Sequence, residues 1–430
     1  MKDLKRFKIS SLALINIVLV VAYQILVFRI LGATIETDIY IAAVAVPQFI
    51  LAVSGAALIN IFVPVFKNAV TANIKDDAFN FGCFLFSACL FLVVVFYLCS
   101  GQLLQILLPG FNAYQLDSVQ NAFNYSNAAI IFAVGVGFWT AYRYSKDQYM
   151  YVELTSICSA VICLVCLLLI PKVSIDAEFL CKLFLLRHCI NFFLISDVST
   201  ASIRAIDIKK SARVFYEAQS LILTSIVSKN EQLADKFVLS AAAPGLLSLY
   251  TLAFQLNSLS SSVVSKGFVN DALGKLSISS LREKRLAINA ARLRIIGLYL
   301  VFLLGSYWLA EPVLGFLLQS AQLSGNDIEK LVDFLLLISG IFCGGLLGQL
   351  AVYQLLSLGL KKILLVYSAV TAPIYLALKF YIFSIFDVTG FCILVSTIYL
   401  IDAFLLNQIF NFNERSLQKG NSYDYKQTHE

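Results

Sequence analysis

The residues best suited to chemistry crowd one short stretch, Lys229-Asn-Glu-Gln-Leu-Ala-Asp-Lys236, inside an otherwise apolar run. At about 100° per residue, Lys229, Gln232 and Lys236 share one helical face, while Glu231 and Asp235 share another, one turn apart. A charge at the bilayer centre costs about 2.5–3.5 kcal/mol on insertion scales, so it needs a partner or an aqueous cavity. Two readings fit. The faces line a cavity that handles an anionic substrate or a coupling cation, or the charges pair internally and fix the helix register. Other apolar runs carry Arg187-His188, Lys379 and Asp402. Arg187 suits bidentate contact with a phosphate, or else it snorkels with His188 as a packing pair. No P-loop, HExxH or nucleophile–base pair is present, so no enzyme is expected, and neither is a cofactor or metal site. Cys163-Leu-Val-Cys166 has no second pair and reads as helix packing.

The elements that position these groups follow from composition. Of 430 residues, 60% are hydrophobic and 13% charged, where soluble domains carry about 25% charge. Apolar runs of about 20 residues read as membrane spans. Twelve are expected, near 10–31, 38–66, 78–99, 120–142, 149–171, 177–198, 214–241, 245–270, 290–318, 329–358, 362–384 and 388–411. With the N-terminus in the cytoplasm, the inner loops hold Lys67 and Lys75; Arg143 and Lys146; Arg204, Lys209, Lys210 and Arg213; Lys275, Arg282, Lys284 and Arg285; Lys361 and Lys362. The outward loops 100–117 and 319–327 hold no Lys or Arg, which is the positive-inside pattern with both termini cytoplasmic. Arg292 and Arg294 begin the ninth span near that same side and read as topology or lipid-headgroup charges rather than as substrate ligands, the alternative. Gly340, Gly344 and Gly348 are four apart, a spacing that lets helices approach closely.

The fold class is therefore an all-α polytopic membrane protein. A six-helix lobe (1–198), a basic linker (199–213), a second six-helix lobe (214–411) and a polar, disordered tail (412–430) are expected, with a cavity between the lobes.

The stretch "RILGATIETDIYIAAVAVPQF" and the following "SGAALINIFVPVF" carry Arg29, Gly32-Ala33, Asp38, Pro47, Gly55-Ala56 and Phe62-Val63-Pro64. This pattern resembles the start of the MurJ/MviN lipid II flippases, in the multidrug/oligosaccharidyl-lipid/polysaccharide (MOP) exporter superfamily. "LLPGF" (107–111) and "LADKFVLSAAAPGLLSLYTLAFQL" (233–256) are similar to later segments of that family. The resemblance implies a MATE-like fold and lipid flipping in a bacterial inner membrane. Twelve spans, rather than the fourteen typical of MurJ, match the other branches.

The departures bear on the substrate. Tyr23-Gln24 stands where the family tends to have Arg-Asp, Leu51-Ala52 where it has paired Arg, Ser54 where it has Glu, and Gln255 where it has Arg. The expected substrate is thus a polyprenyl-diphosphate-linked saccharide for O-antigen, capsule or exopolysaccharide, its anion met by some of Arg187, His188, Lys229 and Lys236, helped by Gln24 and Gln255. Lipid II transport, cation-coupled drug antiport and a non-transporting scaffold are the alternatives. Asp235 matches the Asp of a sodium site in some relatives, and Lys379 falls where that site has Asn or Asp. An ammonium there, paired with Asp235 or Asp402, implies transport without sodium. Partners expected are the lipid saccharide, the bilayer and polysaccharide-assembly proteins, with no nucleic acid, and the protein is expected to be a monomer. Arg29 is expected to pair with Glu36 or Asp38 at an outer gate, with Asp38 favouring the dipole of its own helix.

Overall fold

The computed structural model describes residues 2–68, 74–197, 223, 226, 229–264, 281–318, 323–358 and 360–427. The expected linker 199–213 lies outside them. The described elements are α1 (Lys2–Leu31), α2 (Ile35–Ala43), α3 (Ala45–Asn68), α4 (Ile74–Leu98), α5 (Ser100–Leu107), α6 (Ala113–Ser145), α7 (Tyr149–Leu169), α8 (Ala177–Ile195), α9 (229–239), α10 (Leu246–Val264), α11 (Leu281–Leu318), α12 (Gly325–Leu337), α13 (Gly340–Ser357) and α14 (Lys361–Gln427). Each of the twelve expected spans falls on helix, in whole or in part. Seven described stretches are long and apolar enough to cross a membrane, or eight if the bent pair α4–α5 is one span. Glu178, Lys182 and Arg187 keep α8 out of that set.

Local chemistry explains the breaks. Pro47 has no N–H to continue the ladder from α2, so the expected second span is divided at Val44, with Pro47 in the first turn of α3. The outward loop 100–117 contains α5, bent by 77° from α4. Asn112 opens α6 with a capping box. Its side chain accepts from the Gln115 N–H at 2.9 Å, and its own N–H donates back to the Gln115 side chain at 2.7 Å. The eleventh and twelfth expected spans run on as the two arms of α14, divided at Asp387, whose φ of 57° and ψ of −157° form the turn. Helix continues from the second arm to Gln427, so the tail is helical where disorder was expected.

The chain divides into two compact units, one of residues Met1–Ser248 with Leu318–Ser324, the other of Leu249–Leu317 with Gly325–Glu430. In the first, Leu58 and Phe62 of α3, Cys89 of α4 and Ile130, Val134 and Phe138 of α6 form one core. Cys163 is buried and donates to the Leu183 carbonyl of α8 at 3.6 Å, the packing role expected of it. In the second unit, Ile288, Ala291 and Ile295 of α11 meet Phe342, Leu346 and Leu350 of α13. On the other side of α13, Ala351 and Leu355 pack with Leu364, Leu406 and Phe410 of α14. Large apolar side chains such as Phe91, Leu169, Trp308 and Phe316 stay exposed, as a surface solvated by lipid requires.

The glycine row of α13 is where that helix and the second arm of α14 approach. A Cβ on Gly340 would lie 2.4 Å from Ser396 Oγ, and one on Gly344 would lie 2.5 Å from the Tyr399 backbone. Gly344→Ala should therefore lower stability by about 1–3 kcal/mol, the usual cost of overpacking. Gly305→Ala, where nothing lies within 4 Å, should be neutral or stabilising. Thermal unfolding of both variants in detergent checks this. A Gly344→Ala protein as stable as wild type contradicts the packing.

Candidate functional site

Two carboxylates at the start of α2 are committed to the starts of other helices. Asp38 is 4% exposed. Its Oδ2 accepts the Gly245 N–H at 2.6 Å and its Oδ1 accepts the Ser248 N–H at 2.8 Å, so it caps α10. Glu36 accepts the Ala177 N–H at 3.3 Å, at the start of α8. Unsatisfied amides and the positive end of the helix dipole both favour a carboxylate there. Sequence reasoning gave Asp38 to its own helix and paired it, or Glu36, with Arg29. Arg29 instead is exposed and forms no ion pair among the described residues. The amide donors outcompete it because they are fixed in place and already desolvated.

The turn that Asp38 holds is clamped from both sides. Gly245 has φ of 86°, and a Cβ there would lie 2.2 Å from the Ala33 carbonyl oxygen. A Cβ on Gly110 would lie 2.3 Å from Ala241 Cα. Gly32, with φ of 72°, turns the chain out of α1, and Thr37 Oγ1 donates to the Gly32 carbonyl at 2.7 Å.

The cations of this unit are placed differently. Lys236 Nζ donates to Gln48 Oε1 of α3 at 3.1 Å, a neutral partner. Lys229 and Glu231 are half-buried, Asp235 is 2% exposed, and Gln232 is exposed, so Gln232 does not share the environment of Lys229 and Lys236 as expected. Arg187 is half-buried in α8 and forms no ion pair among the described residues. His188 packs edge-on against Phe184, with centroids 4.7 Å apart. Gln24 is half-buried in α1.

In the second unit Asp402, on the second arm of α14, accepts from two tyrosines of the first arm: Tyr367, and Tyr375 at 2.6 Å. Tyr367, Thr371, Tyr375 and Lys379 recur every four residues along one face of that arm. Lys379 is 1% exposed. Asp402 is not its partner, because the tyrosine hydroxyls reach the carboxylate first. Gln255 Oε1 is buried without a hydrogen-bond donor among the described residues.

Sequence reasoning missed a third group. Arg292 of α11 donates through Nη2 to Gln354 Oε1 of α13 at 3.3 Å and to Asn407 Oδ1 of α14. Single amides 62 and 115 residues away leave no spacing to read. Among the described residues, no three His, Cys, Asp or Glu side chains converge as a metal site would require.

No family model and no curated protein sequence matches the chain. Solved structures do. The lipid II flippase MurJ in an inward closed conformation superposes with a TM-score of 0.78 at 16% identity, over 93% of this chain and 86% of that one. An inward-facing multidrug resistance MATE transporter of the MOP superfamily gives a TM-score of 0.76 at 11% identity, over 94% and 96%. The chain has the MOP fold. A MOP superfamily transporter from Pyrococcus furiosus, described as having a binding pocket of reversed polarity that suggests a different function, gives 0.58 at 11% identity, over 96% of each chain.

Within this MOP fold the Asp38 cap is testable by itself. Asp38→Ala leaves the Gly245 and Ser248 amides buried and unsatisfied, at about 1–3 kcal/mol for each group. The unfolding temperature should fall clearly, and Asp38→Asn, which keeps one acceptor, should fall less. Equal loss in both variants contradicts the capping role.

Proposed function

We propose that the protein is an inner-membrane flippase for a polyprenyl-diphosphate-linked saccharide, working by alternating access. The observation that carries this reading is a division of labour among the charges. Asp38 gives both carboxylate oxygens to protein donors, and Glu36 and Asp402 give one each, while among the described residues Arg187 and Lys236 have no carboxylate bonded to them. Cations left without acids suit an anionic headgroup such as a diphosphate. A cation-binding drug antiporter would need the reverse. The MOP fold supports transport as the class of function.

Gln24, Leu51, Ala52, Ser54 and Gln255 stand where the lipid II flippases tend to carry charge. This favours a repeat unit for O-antigen, capsule or exopolysaccharide over lipid II. The basic loops support an orientation with both termini in the cytoplasm. Lys379 supplies a fixed positive charge where sodium-dependent relatives hold the ion, so transport runs without sodium.

Two measurements test this reading in proteoliposomes. Arg187→Gln and Lys236→Gln should each cut flipping of a polyprenyl-diphosphate saccharide about tenfold or more, the loss of a charge-assisted contact. Unchanged flipping in both variants, with drug efflux retained, overturns the proposal. Replacing sodium by potassium should leave the wild-type rate unchanged, and a sodium-stimulated rate contradicts the role of Lys379.

A further inference from the structure

Arg292 lies one turn inside its apolar stretch, four residues after Ile288. Gln354 lies three residues before the end of the stretch that finishes at Ser357, and Asn407 seven before the one that finishes at Glu414. All three thus sit toward the ends of their apolar stretches. Arg292 is half-buried and Gln354 is 1% exposed. Among the described residues the guanidinium bonds only to amide oxygens, those of Gln354 and Asn407 and, at 3.5 Å, of Asn289. Among the described residues it forms no ion pair.

A guanidinium held in place by neutral acceptors, with no counter-charge, is costly to bury and ready for an anion. The same two amides that accept from Arg292 carry NH2 groups, Gln354 Nε2 and Asn407 Nδ2, which make no hydrogen bond among the described residues. Amide NH2 groups of α13 and α14 thus adjoin the guanidinium of α11. That set matches the several oxygens of a phosphate, and the fork of Arg matches them in pairs.

We propose that Arg292, Gln354 and Asn407 form a receptor for the diphosphate of the lipid-linked substrate, in the second unit. Arg292 is the charged contact, and the two amides both orient it and donate beside it. This subsite rests on the flippase reading above. It gives the phosphate a contact distinct from Arg187 and Lys236.

The test is binding of a short polyprenyl diphosphate without sugar to the purified full-length protein, with phosphatidylglycerol as competitor. Arg292→Gln should weaken binding about tenfold or more, and Arg292→Lys should weaken it less, since charge without the fork keeps part of the contact. Phosphatidylglycerol should not displace the diphosphate. The unfolding temperature of each variant establishes that it is folded, and Arg292→Lys carries the test if Arg292→Gln is not. Equal binding by wild type and the folded variants overturns the proposal. Displacement by phosphatidylglycerol at equal concentration overturns the diphosphate assignment in favour of a general lipid-headgroup site. Diphosphate binding that depends on Arg292 in a protein that flips no lipid-linked saccharide leaves this receptor standing and overturns the flippase reading instead.

Discussion

A carboxylate buried in an apolar bundle must find donors there or lose its charge. Asp38 finds two backbone amides at the start of α10, at 2.6 and 2.8 Å. The rest of the first unit is shaped around that contact. Gly245 has to be glycine because its φ is positive and Ala33 presses on it. Gly110 has to be glycine because the 240–241 turn lies against it. Gly32 has to turn α1 so that α2 begins where Asp38 can reach. Glu36, two residues earlier, does the same for α8. A hairpin with three charges thereby becomes a capping device for two other helices.

This use of the acids sets the electrostatics. Carboxylates that take backbone or tyrosine donors contribute architecture. Arg143, Lys146 and Lys182 pair with carboxylates, whereas Lys236 and Arg292 take neutral amide oxygens, so these two positions favour anions. Asp402 shows the rule in the second unit, where two tyrosine hydroxyls converge on one carboxylate.

Much of the architecture was legible in the sequence, because hydropathy and loop charge are local signals. The spans were placed, and the four-residue spacing of Gly340 and Gly344 announced the close approach that Ser396 and Tyr399 complete. The partners of the charges were not legible. Asp38 bonds to amides 207 and 210 residues away, and every non-proline residue offers such an amide. The tyrosines that take Asp402 resemble any other interfacial aromatics in a chain with 20 of them. Arg292 read as a topology charge because its position near the end of a span satisfied the positive-inside rule. Its inward placement became visible only with Gln354 and Asn407 beside it.

The claim that Arg187, Lys236 and Arg292 serve an anionic lipid is tested most directly by one two-probe experiment. Wild-type protein in sealed vesicles is given a polyprenyl-diphosphate saccharide and a lipophilic cationic dye together, and the leaflet of the saccharide is read with a membrane-impermeant lectin. The account predicts that the saccharide reaches the opposite leaflet while the dye distribution stays as in empty vesicles. Movement of the dye with the saccharide left in place would contradict it.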